Sequence, residues 1–207
     1  LGEGSFGVVY LGVDKKTGER VAVKKISKKH TSRRELQQEL RALLLLRDAG
    51  GHPNICSLRE NFSEHFYHYL ILDLIEGCEM FDHLVYLGAY SEASAARLVR
   101  EVASALAYLH GLGVVHGDLK PENLMLSSAN PSDAVIKLID FGSAVLTKEG
   151  DNDKVEDDPL RTGRTLAYCP PEALDRSGND GESSGDMWAL GTILYIMLTG
   201  KSVWRLE

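Results

Sequence analysis

The hydrophobic period of this chain changes once, and that change constrains its fold more than any other feature. Up to about Glu76 the apolar residues alternate or run in short blocks. Gly7 to Val13, Arg20 to Ile26 and Tyr67 to Ile75 read as strands, with Lys15-Lys16-Thr17-Gly18 as a turn between the first two. One helix interrupts them from about Arg33 to Arg47, where Leu36, Leu40, Leu43 and Leu44 recur at helical spacing and Ser32 with Glu35 fits a capping box. Beyond the turn-like Glu76-Gly77-Cys78 the pattern becomes helical. Ser91 caps a helix with Ala95, Leu98, Val99, Val102, Ala105, Leu106 and Leu109 along one face, ending at Gly111 or Gly113. Leu124 to Leu126 and Val135 to Ile139 are strand-like pieces around a polar turn from Ser127 to Asp133. The expectation is an α+β chain in two lobes: residues 1–76, small and β-rich with one helix, and residues 77–207, mainly α-helical.

Composition removes several classes of function. With 43% apolar and 26% charged residues the chain has the makings of a packed core. Its net charge of -7 repels phosphate backbones, and the densest basic run, Lys24 to Lys29, reads as a solvated strand end or loop, so no nucleic-acid partner is expected. Cys56, Cys78 and Cys169 form neither a disulfide framework nor a metal-ligand pattern, which points to a reducing, cytoplasmic or nuclear setting. The longest apolar helix, Met187 to Leu198, contains Gly191 and falls well short of the roughly 20 residues that cross a bilayer, so no membrane partner is expected.

Four motifs stand in an order that suits phosphoryl transfer, which needs a phosphate cradle, a cation, metal ligands and a group to position the acceptor hydroxyl. Gly2, Gly4 and Gly7 lie in a G-x-G-x-x-G-x-V run, where missing side chains let main-chain N–H groups approach phosphate oxygens. A strand follows these glycines, whereas a dinucleotide-binding fingerprint calls for a helix. Lys24 shares a strand face with Ala22 and can reach phosphates beneath the hairpin. The helix that follows offers Glu35 and Glu39 to orient it; capping accounts for Glu35, leaving Glu39 as the better partner. His116 to Asn123 gathers a carboxylate, an ammonium and a carboxamide: Asp118 can accept or orient the acceptor's proton, Lys120 can neutralise the transferred group, and Asn123 can ligate magnesium. Asp140, in Asp-Phe-Gly, supplies a second hard oxygen for the metal.

Together with Pro170-Pro171-Glu172 and Asp186-Met187-Trp188-Ala189-Leu190-Gly191, this ordered set resembles the eukaryotic protein-kinase family across essentially the whole chain. The Lys-Pro-Glu-Asn form is similar to serine/threonine kinases. Gly51-His52-Pro53-Asn54-Ile55 and Glu79-Met80-Phe81-Asp82 are similar to the calmodulin-dependent group. The resemblance implies ATP and Mg2+ as cofactors and a protein hydroxyl as acceptor. It also implies an adenine slot lined by Leu1, Val9, Ala22 and Met125, main-chain contacts from Asp73 and Ile75, Glu79 near the ribose, and Leu72 as gatekeeper. Leu43, Leu58, His116 and Phe141 would stack between the lobes, anchored by Asp186, and Thr165 would hold Asp118 and Lys120. The family also has helices beyond Glu207, so the chain reads as truncated at both ends.

Gly117 departs from the family pattern, which commonly has an arginine there to pair with a phosphate on the activation segment. Control that does not depend on that phosphate is the expectation, and the regulator itself is not written in these residues. Six acids with one lysine between Glu149 and Asp158 read first as a solvated, mobile loop, and as the sharper alternative a run that attracts basic substrates. Two rivals remain: a pseudokinase that only binds nucleotide, and a small-molecule kinase of the type that shares His-Gly-Asp. The first would lack a catalytic group, yet Lys24, Asp118, Asn123 and Asp140 are all present. The second generally lacks Lys120-Pro121-Glu122, Asp-Phe-Gly and Pro-Pro-Glu.

Overall fold

The computed structural model describes residues 2–4, 7–128, 130, 133–147, 165–174 and 183–203. Strands β1 (Gly2–Gly4), β2 (Gly7–Val13), β3 (Arg20–Ser27), β4 (Leu58–Ser63) and β5 (Tyr67–Asp73) form one antiparallel sheet in the order β1-β2-β3-β5-β4. Alternation along β3 turns Ala22, Lys24 and Ile26 to one face, all buried, while Val23 and Lys25 lie on the other, half-buried. Helix α1 (Arg33–Asp48) buries Ala42, Leu43 and Leu46, which join Ile26, Leu58 and Leu70 in the core. The strand expected from Tyr67 to Ile75 stops at Asp73, because Leu74 and Ile75 have left the pairing with β3, whose last partner is Val21.

The helical part follows. Helix α2 (Met80–Leu87) buries Met80 and Leu84, and α3 (Glu92–Leu112) buries the stripe Ala95, Leu98, Val102, Ala105, Leu106 and Leu109. Each fully buried leucine of that stripe contributes about 1.5–3 kcal/mol relative to exposure. Helix α3 ends at Gly113, in the left-handed conformation. Two short pairings lie beside it: β6 (Val114–Val115) with β9 (Val145–Leu146), and β7 (Leu124–Leu126) with β8 (Ile136–Leu138). A one-turn helix α4 (Pro171–Leu174) and the apolar α5 (Ser183–Thr199) complete the described elements. Helix α5 buries Ala189, Leu190, Ile193 and Met197, and leaves Met187, Tyr195 and Leu198 exposed. No helix among the described residues is long and apolar enough to cross a membrane.

Main-chain hydrogen bonds hold the sheet and the helices together. Leu138 N–H donates to Asn54 O at 2.8 Å, Cys56 N–H donates to Leu138 O at 2.9 Å, and the Asn54 amide donates to Ile136 O at 3.0 Å. On the connecting segment, Leu126 N–H donates to Cys78 O at 2.9 Å. A β-carbon on Gly77 would overlap the carbonyl of Leu126, so only glycine lets the chain pass this close to β7.

Candidate active site

Three elements deliver one ion triad, buried at Lys24 and Glu39 and half-buried at Asp140. Lys24 projects from β3, Glu39 from α1, and Asp140 follows β8. Lys24 Nζ lies 2.6 Å from Glu39 Oε1 and 2.8 Å from Asp140 Oδ1. Burial alone would lower the lysine's pKa, but the two carboxylates outweigh it and hold the ammonium above its ordinary value. Glu39 is pushed up by burial, with the Asp140 charge adding to the rise against Lys24. For Asp140 burial also acts upward, yet Lys24, His116 and the Gly142 N–H together leave it below the usual carboxylate range. Asp140 adopts φ of +60°, a left-handed backbone that costs a non-glycine residue about 1 kcal/mol.

The segment from His116 to Asn123 is cross-linked through a second set of contacts. Asp118 Oδ2 lies 2.7 Å from Lys120 Nζ, and Asp118 Oδ1 accepts the Thr165 N–H at 3.1 Å. Lys120 Nζ donates to Thr165 Oγ1 at 2.9 Å, so Thr165 touches both charged groups. The Asn123 amide nitrogen donates to Asp118 O at 2.8 Å. Beneath the loop, buried Asp186 accepts the N–H groups of His116 (2.9 Å) and Gly117 (3.0 Å), and His110 Nε2 stands 2.8 Å from it. Gly117 has φ of +78°, where a side chain would be strained. The His116 ring meets Phe141 edge-on at 5.3 Å, and Leu43 and Leu58 are buried in the same core.

The residues expected around the adenine are tied to one another through strand pairings. Val9 pairs with Lys24, Ala22 pairs with Leu72, and Met125 forms a bridge with Glu79, which precedes α2. Asp73 spends its N–H on Ser57 O, leaving its carbonyl with a long contact from the Cys56 thiol at 3.7 Å. Ile75 is half-buried beside it. Gly2, Gly4 and Gly7 sit in the β1–β2 hairpin, with Gly2 opposite Val9 and Gly4 opposite Gly7. Leu1 and the acidic run Glu149 to Asp158 lie outside the described residues.

A magnesium ion fits the donors that remain. With the Asn123 nitrogen engaged by Asp118, its Oδ1 is the atom left for a metal, and Asp140 Oδ2 makes no hydrogen bond with a described residue. Two hard oxygens suit Mg2+, which keeps waters and takes phosphate oxygens for its other positions. No group of three His, Cys, Asp or Glu side chains able to hold a metal occurs among the described residues. Sequence reasoning assigned no role to His110, and none to Asn54 beyond its place in the Gly51 to Ile55 run. Their only signal was a polar residue beside an apolar run, which solvated side chains also give.

The protein kinase domain family matches residues 1–207. The chain belongs to that family. Among its relatives, this kinase domain is 39% identical over 201 residues to a probable myosin light chain kinase of Dictyostelium discoideum, covering 97% of this chain and 49% of the relative. It is 37% identical over 227 residues to the serine/threonine-protein kinase PKZ1 of Phytophthora infestans, covering 100% of this chain and 54% of that protein. It is 40% identical over 202 residues to the calcium/calmodulin-dependent protein kinase type II of Caenorhabditis briggsae, covering 97% and 36%. The chain thus spans about a third to about half the length of these three relatives.

Proposed function

We propose that this kinase domain transfers the γ-phosphoryl group of ATP to a serine or threonine hydroxyl of a protein substrate. The observation that carries the reading is the convergence of Lys24, Glu39 and Asp140 beside the Asp118, Lys120 and Thr165 cluster. Magnesium, when bound, would neutralise charge on the phosphates, and Asn123 Oδ1 and Asp140 would hold it. Lys24, kept charged and oriented by Glu39, would bind phosphate oxygens. Asp118 would orient the acceptor hydroxyl and receive its proton, with Thr165 N–H fixing one carboxylate oxygen. Lys120, anchored on Thr165 Oγ1, would offset charge as the group moves. Leu1, Val9, Ala22 and Met125 would sandwich the adenine, with Leu72 as gatekeeper, Asp73 and Ile75 main-chain groups at its edge and Glu79 near the ribose.

The same proposal extends to a basic substrate. Glu79 is pushed up first by burial and then by the charges of Asp82 and Glu122, so three carboxylates lie within electrostatic reach beside the catalytic loop. A substrate cation placed there would relieve their repulsion. Gly117 offers no side chain to an activation-segment phosphate, and activity independent of that phosphate belongs to the reading. So does an intracellular setting, with Cys56, Cys78 and Cys169 joined in no disulfide.

The deciding measurement is transfer of radiolabelled phosphate from Mg-ATP to a generic basic protein and, in parallel, to small alcohols. Protein labelling is expected, with Asp118→Asn lowering it by about a hundredfold or more. Labelling of the alcohols alone, or of neither while Mg-ATP still raises the melting temperature, would replace the reading with a small-molecule kinase or a pseudokinase.

A further inference from the structure

The connecting segment Asp73 to Ile75 has another side. A cavity of about 200 Å3 opens there, lined by Cys56, Arg59, Asp73, Ile75, Ser127 and Lys137 among others. Asp73 and Ile75 are shared with the proposed adenine edge, but Val9, Ala22 and Met125 of the slot and the gatekeeper Leu72 do not belong to its wall.

Its two cations are not equivalent. Arg59 is already doubly engaged, with Nε 2.7 Å from Asp73 Oδ1 and Nη1 2.7 Å from Glu19 Oε2. Lys137 is half-buried on β8, and its ammonium makes no ion pair or hydrogen bond with any described residue. Its charge nevertheless acts on both Cys56 and His52. Lys137 thus brings to this wall a cation that no carboxylate among the described residues pairs with. Ser127 adds a donor to the same wall: its Oγ accepts the Val135 N–H at 3.0 Å, and its own hydrogen has no acceptor among the described residues. Burial pushes the Cys56 thiol up to about 12, so it stays protonated at neutral pH and adds no negative charge.

Charge and size narrow the ligand. The lining carries Arg59 and Lys137 against Asp73, one net positive charge on a chain of net -7. Asp73 and Glu19 already neutralise Arg59, so the charge left for a ligand is the single one on Lys137, which a singly charged carboxylate matches. The volume lies below the roughly 300–1,000 Å3 of pockets for drug-sized ligands, so it suits one side chain or a small acid.

We propose that this cavity binds a carboxylate, carried by an acidic side chain of a docked peptide segment, with Lys137 as its counterion. The proposal is independent of the transfer chemistry. The test is an amide-resolved NMR titration of the 15N-labelled chain with acetyl-Gly-Glu-Gly-amide. Saturable shifts at Ile75, Ser127 and Lys137 are expected, none with the Gln peptide, and about tenfold weaker binding in Lys137→Gln. Lys137→Arg should retain binding to within about threefold, which keeps the test open if Lys137→Gln fails to fold. Equal shifts from the Gln peptide, or binding undiminished in a folded Lys137→Gln, would overturn the site. Glutarate binding more tightly than the peptide would overturn peptide docking in favour of a free small acid, and inorganic phosphate outcompeting glutarate would overturn the carboxylate itself.

Discussion

Asp186 is 2% exposed and takes hydrogen bonds from two main-chain N–H groups, with His110 beside it. Burial alone would raise its pKa, but the contacts from His110, His116 and Gly117 outweigh that and leave it below the ordinary 3.8. Because the folded value is depressed, the stability it contributes is complete above the unfolded value and lost as pH falls through the folded one. Asp140 acts with the same sign. Glu39 opposes them, since its raised value favours the folded state as pH falls. Urea unfolding followed against pH should therefore weaken steeply below about pH 4. Asp186→Asn should flatten part of that slope and destabilise the domain at neutral pH by about 2–3 kcal/mol, because one N–H of the loop loses its acceptor. A variant with the full acid slope would mean that other carboxylates carry it. Gly117→Ala tests the same loop from the backbone side: at φ of +78° an alanine should cost about 1 kcal/mol in the same urea titration.

Helix α1 carries Glu39 into the ion triad, so its first turn matters beyond its own stability. Ser32 Oγ accepts the Glu35 N–H at 3.1 Å and Ser32 N–H donates to Glu35 Oε2 at 2.8 Å, the reciprocal pair that the sequence announces. Ser32→Ala should destabilise by about 1 kcal/mol, a melting shift of about 2–4 °C for a domain of this size, while Glu35→Gln should lose less because glutamine serves the same box. Calorimetry of the two variants checks the order. Elements with such local signals were legible: the β2–β3 hairpin, α1, α3 with its Ser91 cap, β7, and the core of α5. Others were not. Strand β4, Leu-Arg-Glu-Asn-Phe-Ser, is mostly polar because it lies at the sheet edge, and β6 and β9 are two-residue pairings that exist only once distant chain segments meet. Helix α2 has eight residues, too few to establish a period. The site was legible where chemistry fixes residue type, as at Lys24, Asp118, Asn123 and Asp140. It was not where a polar side chain serves main-chain atoms far away, as with Asn54 on Ile136 or His110 beside Asp186.

At the scale of the whole molecule, the sheet and the helical part meet through the Asn54 to Cys56 loop, the Gly77 to Glu79 segment and the Lys24–Asp140 pair. The Gly77 to Glu79 segment and the Lys24–Asp140 pair both include residues of the candidate site, so anything bound there is seen by both parts at once. Charge is distributed on this scale too. The chain carries a net -7, and Glu79, Asp82 and Glu122 add local negative charge beside the catalytic loop. A basic peptide should therefore be drawn in by the general field and held by the local carboxylates, and the two contributions respond differently to salt. Screening shortens to about 3 Å in 1 M salt from about 10 Å in 0.1 M, which removes the long-range attraction while leaving close contacts partly intact. The expected result is that kcat/KM for an arginine-containing peptide falls as ionic strength rises, while that for a neutral peptide stays nearly flat. Glu122→Gln should lower kcat/KM for the arginine peptide by about threefold to tenfold with little change in its salt slope, since one carboxylate is a small share of the total field. Salt slopes equal for the basic and neutral peptides would show that charge takes no part in substrate choice. A Glu122→Gln effect equal on both peptides would place that carboxylate in the chemistry of the loop and not in recognition.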